Sequence, residues 1–171
     1  RLALGFFAAG AIAALALGCM FVLSGGSLTV ALALAGLGAA FVAARLDIEA
    51  LRRVVAALGA IVAARLIREP RIVADLGTTP IFNWLLFGYG VPALAFGLSA
   101  RLMRRAPEDV PLRIAQALAL VFAALLVFFQ IRHALNGGDI YAQEAKLAEA
   151  GLQTFAALAF GIATVLIAGR A

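Results

Sequence analysis

The chain has 171 residues, of which 65% are apolar and 13% are charged, whereas a soluble domain has roughly 45–50% apolar and about 25% charged residues. The net charge is +5, but the basic residues are scattered between apolar runs, which excludes the clustered basic face of a nucleic-acid-binding protein. One cysteine and one histidine do not suffice for an intrachain disulfide or a thiolate and imidazole metal site. We therefore expect a membrane protein with the lipid bilayer as partner, no cofactor and no metal.

Two membrane-length apolar runs open the sequence. No charged residue occurs over residues 2–44, and at about 1.5 Å per residue a helix of that length crosses a hydrocarbon core of ~30 Å twice. We predict a first helix at 2–23, a glycine-containing turn at 24–27 and a second helix at 28–44. A signal peptide has a similar layout, but its apolar core is only about 7–15 residues long.

The third segment is ambiguous. Only the 11 residues between Arg53 and Arg65 are uncharged, which is short for a span. Bulky side chains recur there at helical spacing, with alanines on the other side. This pattern predicts an amphipathic helix that either crosses the membrane, with its arginines reaching the interfaces, or lies in the interface plane.

Three further helices are predicted, at residues 81–100, 114–131 and 150–169, the last continuous with a polar turn from about Tyr141. No segment alternates with period two, so the fold class is all-α. We predict a polytopic transmembrane helix bundle with about six membrane-embedded helices, five certain spans plus the short third segment. Residues 1–171 form a single membrane-embedded module, and a chain that begins with Arg1 rather than Met is expected to be part of a longer protein.

The basic residues also predict an orientation. If the third segment crosses, the N-terminal side carries nine basic residues and the other side five; if it does not, the counts are the same. The positive-inside rule therefore places the N-terminus of this segment in the cytoplasm. We favour six crossings, because the five basic residues of the far side are then balanced by five acidic ones.

The predicted fourth helix contains a break, NWLLFGYGVP at 83–92. Pro92 has no N–H, so the carbonyl of Gly88 loses its helical partner, and Gly88 and Gly90 do not shield it. In lipid that carbonyl needs a neighbouring helix, a polar side chain or water. One interpretation is a discontinuous helix that presents backbone to a substrate or ion, as in transporters. We favour the other, a proline kink packed through its glycines, because both residue types are common in membrane helices.

Polar residues gather just before this break and again at 130–146, QIRHALNGGDIYAQEAK. The second stretch either handles protons or binds a phosphate-bearing head group, or it is a hydrophilic turn with Asp139 as an N-cap. Because helices four and five are consecutive spans, both stretches lie on the same side of the membrane. The candidate ligand-binding residues are Asn83, Tyr89, Arg132, His133, Asp139, Tyr141 and Glu144.

Three stretches carry a resemblance: PIFNWLLFGYGVPALAF (80–96), IRHALNGGDIY (131–141) and GLQT (151–154). They resemble the bacterial family of large predicted membrane proteins called domain of unknown function twenty-three thirty-nine, over roughly residues 54–165. The resemblance implies a longer polytopic protein of the bacterial cytoplasmic (inner) membrane, with the rest of that protein or other membrane helices as partners. It implies no reaction, ligand or catalytic residue.

The sequence favours a transport or ligand-binding membrane module with a kinked fourth helix. One alternative is a membrane enzyme acting on lipid-linked cell-envelope material, with Asp139 or Glu144 as base and Arg132 on a phosphate. The other is a structural or assembly subunit whose small-residue faces bind other helices. No HExxH motif, Gly-rich phosphate loop or G-x-S-x-G motif is present, so no catalytic residue is assigned.

Overall fold

A computed structural model describes residues 2–69, 79, 81–104, 109–141 and 146–168. Within these ranges the chain is helical and has no strand, which confirms the predicted all-α class. The helices are α1 (Leu2–Val22), α2 (Gly25–Leu46), α3 (Glu49–Arg68), α4 (Val91–Met103), α5 (Val110–Leu135) and α6 (Leu147–Ala168), and a π-helical turn (Leu86–Gly90) continues directly into α4.

Five of the described helical segments are long and apolar enough to cross a membrane, at Gly5–Val22, Gly25–Leu46, Leu86–Met103, Val110–Leu135 and Leu147–Leu166. The remaining helix, α3, carries Glu49 and four arginines. This charge content distinguishes α3 from the five membrane-length helices. The predicted polytopic bundle, with five spans and a third segment of different character, is confirmed.

Local chemistry explains where the helices begin and end. Asp47, with φ 52, ends α2 in the left-handed conformation that aspartate tolerates, and α3 follows at Glu49. Asp109 begins α5 by accepting the backbone N–H of Leu112 at 3.0 Å. Pro111 fits in the first turn because no helical partner is needed there. Helix α5 therefore begins at Val110, four residues before the predicted start.

Helix α3 packs along the bundle and not across its end. At its first turn, the Nε atom of Arg52 lies 2.7 Å from Oδ2 of Asp109, at the start of α5, and Nη1 donates to the carbonyl of Met103 at 3.1 Å, at the end of α4. Two turns later, a Cβ built on Gly59 would lie 3.0 Å from Cδ1 of Leu118 in α5. Residues later in α3 contact residues later in α5, so α3 runs parallel to α5.

The core lies between α2, α3, α4 and α5. The rings of Phe96 and Phe122 stack with centroids 6.2 Å apart, and Leu32 and Val62 are buried in the same cluster. Helices α1 and α6 lie at the edge of the bundle, with 11% and 6% of their membrane-length windows buried. Because lipid tails are as apolar as leucine, the exposed faces of α1 and α6 carry no penalty in a bilayer.

Candidate functional site

The predicted break in the fourth helix coincides with the π-helical turn before Pro92. A π turn pairs each amide with the carbonyl five residues back, which inserts one residue into the helix next to the position where proline removes a donor. Gly88, Gly90 and Pro92 are all buried. A Cβ on Gly90 would lie 3.5 Å from Cδ2 of Leu126, on α5. The break is therefore a packed feature of the bundle.

Tyr89 lies at the centre of this packing. Its side chain is fully buried, and its ring centroid is 5.2 Å from that of Phe129 and 6.2 Å from that of Phe122, both on α5. An aromatic ring at this depth contributes large contact area. Tyr89 thus joins the segment that follows Asn83 to the middle and the last third of α5.

An amide pair joins the beginning of this segment to α5. Nδ2 of Asn83 donates to Oε1 of Gln130 at 3.3 Å, and Nε2 of Gln130 donates to Oδ1 of Asn83 at 3.1 Å. The same Nε2 lies 3.0 Å from the carbonyl of Ile81. Oδ1 of Asn83 also accepts the N–H of Leu85 at 3.1 Å, so Asn83 both starts the helix and binds its neighbour. The contact brings the two polar stretches to the same end of the bundle.

The most shielded polar group at this end is Glu149, in the first turn of α6. Its side chain has no exposed surface, and Oε1 lies 3.2 Å from Nε of Arg132, whose side chain is 18% exposed. Asn136 donates to Oε2 at 3.0 Å and Gln153 to Oε1 at 3.1 Å. One ion pair from α5 and two hydrogen bonds, from the C-cap of α5 and from α6, thus surround one buried carboxylate. We call these four residues the α5–α6 junction.

The end of α5 is closed by a local motif. The N–H of Gly138 donates to the carbonyl of His133 at 3.0 Å, and Gly137 has φ 61, which are the features of a Schellman cap that favours glycine. Lys146 donates to the carbonyl of Leu135 at 2.8 Å, where a cation suits the helix C-terminus. His133 is 2% exposed. Residues 136–138 of the polar stretch therefore form the C-terminal cap of α5.

The other predicted site residues lie nearer the surface. Asp139 and Tyr141 are exposed, and Oδ1 of Asp139 accepts the N–H of Tyr141 at 2.8 Å. Asp139 caps this local turn, whereas α6 begins later, at Leu147. Glu144 lies outside the described residues. The structure thus brings together Asn83 with Gln130 and Arg132 with Glu149, while Asp139 and Tyr141 form a separate turn.

Glu149 is the residue that sequence reasoning missed. The predicted start of the last helix at residue 150 leaves it in the loop, although α6 begins at Leu147. Its signal was present: an acidic residue near the start of a membrane-length helix marks a functional or paired position. Gln153, four residues later, lies on the same helix face and donates to it.

The opposite end of the bundle holds a second ion pair, between Arg52 and Asp109. The hydrogen bond from Arg52 holds the pKa of the Asp109 carboxyl below its usual range, and the N–H of Leu112 acts in the same direction. The side chains are 13% and 33% exposed. Among the described residues, no group of three or more His, Cys, Asp or Glu side chains is placed to hold a metal ion.

Five membrane-length helices and an apolar core define a polytopic integral membrane protein. The family model described as predicted membrane protein (DUF2339) matches residues 1–171, and the chain belongs to that family. The resemblance inferred from residues 54–165 is therefore confirmed and extends over the whole chain. No curated protein and no solved structure matches the chain.

Proposed function

We propose that this chain is a transport or ligand-binding membrane module that takes a small carboxylate or phosphate anion at the α5–α6 junction. The observation that carries the proposal is the ion pair of Arg132 with the fully shielded Glu149. Ionisable side chains within membrane helices are costly and are concentrated on ligand and ion pathways. Of the four junction residues, Arg132 is one that the sequence pattern already assigns to a candidate ligand-binding site.

Stability alone does not account for such a pair. Removing two charges from water costs on the order of several kcal/mol per ion. Replacing a buried ion pair with apolar residues often leaves the stability of a protein unchanged or increases it. Leucines would therefore join α5 to α6 at least as well as Arg132 and Glu149 do. A guanidinium held in apolar surroundings is, however, a strong and directional binder of a carboxylate or phosphate oxygen.

The carboxylate of Glu149 occupies the position that a ligand anion would take on Arg132. An entering anion displaces Glu149, and the donors Asn136 and Gln153 remain available to hold the freed carboxylate. Helix α6 is only marginally buried and packs mainly against α5, so it can follow Glu149 at low cost. Anion binding is thus coupled to a movement of α6 away from Arg132.

We place this site on the outer side of the bacterial cytoplasmic membrane. Two arguments support this orientation: α3 runs parallel to α5 between the core helices, which favours six crossings, and with six crossings nine of the basic residues lie on the side of the N-terminus. The positive-inside rule then assigns that side to the cytoplasm. The α5–α6 junction lies at the opposite end.

The test measures melting shifts of the full-length protein in a neutral detergent, with inorganic phosphate and succinate as probes and sodium chloride at equal ionic strength as control. We expect the probes, but not chloride, to raise the melting temperature. Arg132→Gln should abolish the shift. Glu149→Gln should preserve or increase it, since the internal competitor is weakened. Arg68→Gln, at an exposed position, is the matched control and should bind like the wild type.

A structural lock gives a different result. If Arg132 and Glu149 only fasten α6, both variants lower the melting temperature by similar amounts and neither changes the response to phosphate or succinate. That outcome, or an unchanged shift in Arg132→Gln, would refute the anion site.

A second candidate function, a structural or assembly subunit, is favoured by one observation. The apolar faces of α1 and α6 lie at the edge of the bundle, where built Cβ atoms at Gly10, Gly18, Gly151 and Gly161 meet nothing within 4 Å. Small residues allow helices to approach closely, and the rest of the same larger protein or other membrane helices would be the partners. Crosslinking from single cysteines on α6 should capture such a helix; a monodisperse lone particle in mild detergent speaks against it.

No observation favours the enzyme alternative. The carboxylate of Asp139, which would act as base, is exposed and accepts the backbone N–H of Tyr141, and the alternative base, Glu144, lies outside the described residues.

A further inference from the structure

A groove of about 880 Å³ lies between α2 and α4. Four leucines of the two helices line it, together with Gly38, Phe41 and Arg101. A Cβ built on Gly38 would meet nothing within 4 Å, so the missing side chain of this residue opens the groove. Its volume and largely apolar lining suit a hydrocarbon chain.

Two guanidinium groups lie at one end of this groove. Arg101, in the last turn of α4, is among the lining residues. Arg45, in the last turn of α2, lies over the ring of Phe41, with 5.2 Å between its guanidinium carbon and the ring centroid. Both side chains are exposed. The groove therefore has an apolar lining along most of its course and two cationic groups at one end.

Neighbouring arginines differ from this pair. Arg52 is bonded to Asp109 and Arg53 to Glu49, whereas neither Arg45 nor Arg101 is paired with a carboxylate among the residues that the structure describes. Two positive charges at the end of a membrane-facing groove are thus left for a partner from outside the chain. Guanidinium groups bind phosphate oxygens in charge-assisted hydrogen bonds.

Local negative charge does not cancel the attraction. The C-termini of α2 and α4 each carry a partial charge of roughly −0.5, less than the full charge of the arginine beside each. Asp47, the C-cap of α2, lines a different pocket together with Gly5 and Phe6 of α1. The cationic end of the groove therefore retains a net positive potential.

We infer that the α2–α4 groove binds one acidic phospholipid, with an acyl chain along Gly38 and the phosphate between Arg45 and Arg101. Helix ends of a membrane protein lie at the depth of the lipid phosphates, and basic pockets between membrane helices bind anionic head groups. A soluble anion would gain nothing from the leucine lining, and an apolar helix would gain nothing from the two arginines. This groove is remote from the α5–α6 junction, so the inference stands apart from the proposed function.

The experiment is native mass spectrometry of the full-length protein in a neutral detergent, titrated with phosphatidylglycerol or with phosphatidylcholine of the same acyl chains. We expect one phosphatidylglycerol to bind in preference to phosphatidylcholine. The double variant Arg45→Gln/Arg101→Gln should weaken phosphatidylglycerol binding about tenfold or more. The variant Arg53→Gln/Arg68→Gln removes the same charge from other exposed positions and should bind like the wild type.

A second pair of variants tests the apolar half of the site. Gly38→Leu fills the groove with both arginines intact, and because the position is open the fold tolerates it; phosphatidylglycerol binding should fall. Gly18→Leu places the same side chain in open space on α1 and should have no effect. Equal binding of the two lipids, unchanged binding by Gly38→Leu, or displacement of the lipid by millimolar inorganic phosphate would each overturn the inference.

Discussion

Gly59 determines how closely α3 approaches α5. A Cβ at this position would lie 2.9 Å from Cγ2 of Ile114 and 3.0 Å from Cδ1 of Leu118, closer than carbon atoms pack without strain. The leucine methyl can rotate away, but isoleucine is branched at Cβ and has one strongly preferred rotamer in a helix. Gly59→Ala therefore forces the two helices apart or moves Ile114 out of its rotamer.

The magnitude follows from two opposing effects. Overpacking a well-packed site costs about 1–3 kcal/mol, while replacing glycine with alanine inside a helix contributes about 0.5–1 kcal/mol. The difference is about 0–2.5 kcal/mol, and we expect Gly59→Ala to lower the free energy of unfolding by about 1 kcal/mol, near the centre of that range. Gly97→Ala, in α4, is the matched control: its new Cβ would lie 3.9 Å from Cβ of Ala119, an ordinary contact, so this variant should be slightly stabilised.

The assay is reversible unfolding by sodium dodecyl sulfate in mixed micelles, followed by far-ultraviolet circular dichroism. The two substitutions are chemically identical, so helix propensity cancels in their comparison and only the packing of Gly59 remains. If Gly59→Ala and Gly97→Ala unfold at the same detergent fraction, α3 does not pack against α5 at this distance, and its position inside the bundle is wrong.

Two further predictions concern α3. Asp109→Asn keeps a capping oxygen but removes the charge that Arg52 binds, so the unfolding free energy should fall by about 1–2 kcal/mol, less than for a buried pair because Asp109 is partly exposed. Because Arg52 lowers the pKa of Asp109 in the native state, this stabilisation is complete above pH 3.8, the usual pKa of the carboxyl, and disappears as the pH falls through the lower native pKa. The difference in unfolding free energy between wild type and variant should therefore shrink in acid. A difference that stays constant with pH would contradict the ion pair. Single cysteines along 54–64, with Cys19 replaced, should resist a membrane-impermeant thiol reagent if α3 crosses, and labelling along one whole face would show that it lies in the interface plane.

The helices were predictable because lipid imposes length and apolarity together. The uncharged runs predict the spans, but the helix ends are determined by capping residues that lie outside these runs. Helix α5 illustrates this: the prediction treats Pro111 as a loop residue, whereas Asp109 caps the helix and Pro111 occupies a first-turn position that needs no N–H. The sequence predicts where α5 lies in the chain, but it does not predict the residue that caps the helix.

The order of the membrane spans predicts which polar stretches of the candidate site lie at the same end of the bundle, but not which side chains contact each other. Consecutive spans place Asn83 at the same end as the residues after Gln130, and the amide pair between them agrees with this argument. The partner of Arg132 depends on the depth and rotation of α6, which hydrophobic patterning does not determine. Glu149 is therefore identified by contact and not by pattern.

The two arginine sites differ in what a ligand must displace. At the α5–α6 junction Arg132 already holds an internal carboxylate, so an anion can bind only by exchange with Glu149, and its affinity is reduced by the free energy of that contact. In the α2–α4 groove Arg45 and Arg101 face outward, so a lipid phosphate replaces only water. Binding at the junction must therefore change the position of α6, whereas binding in the groove can leave the helices where they are. Under our two proposals, a lipid in the groove is a constant component of the bundle, and an anion at the junction is the ligand that changes its conformation.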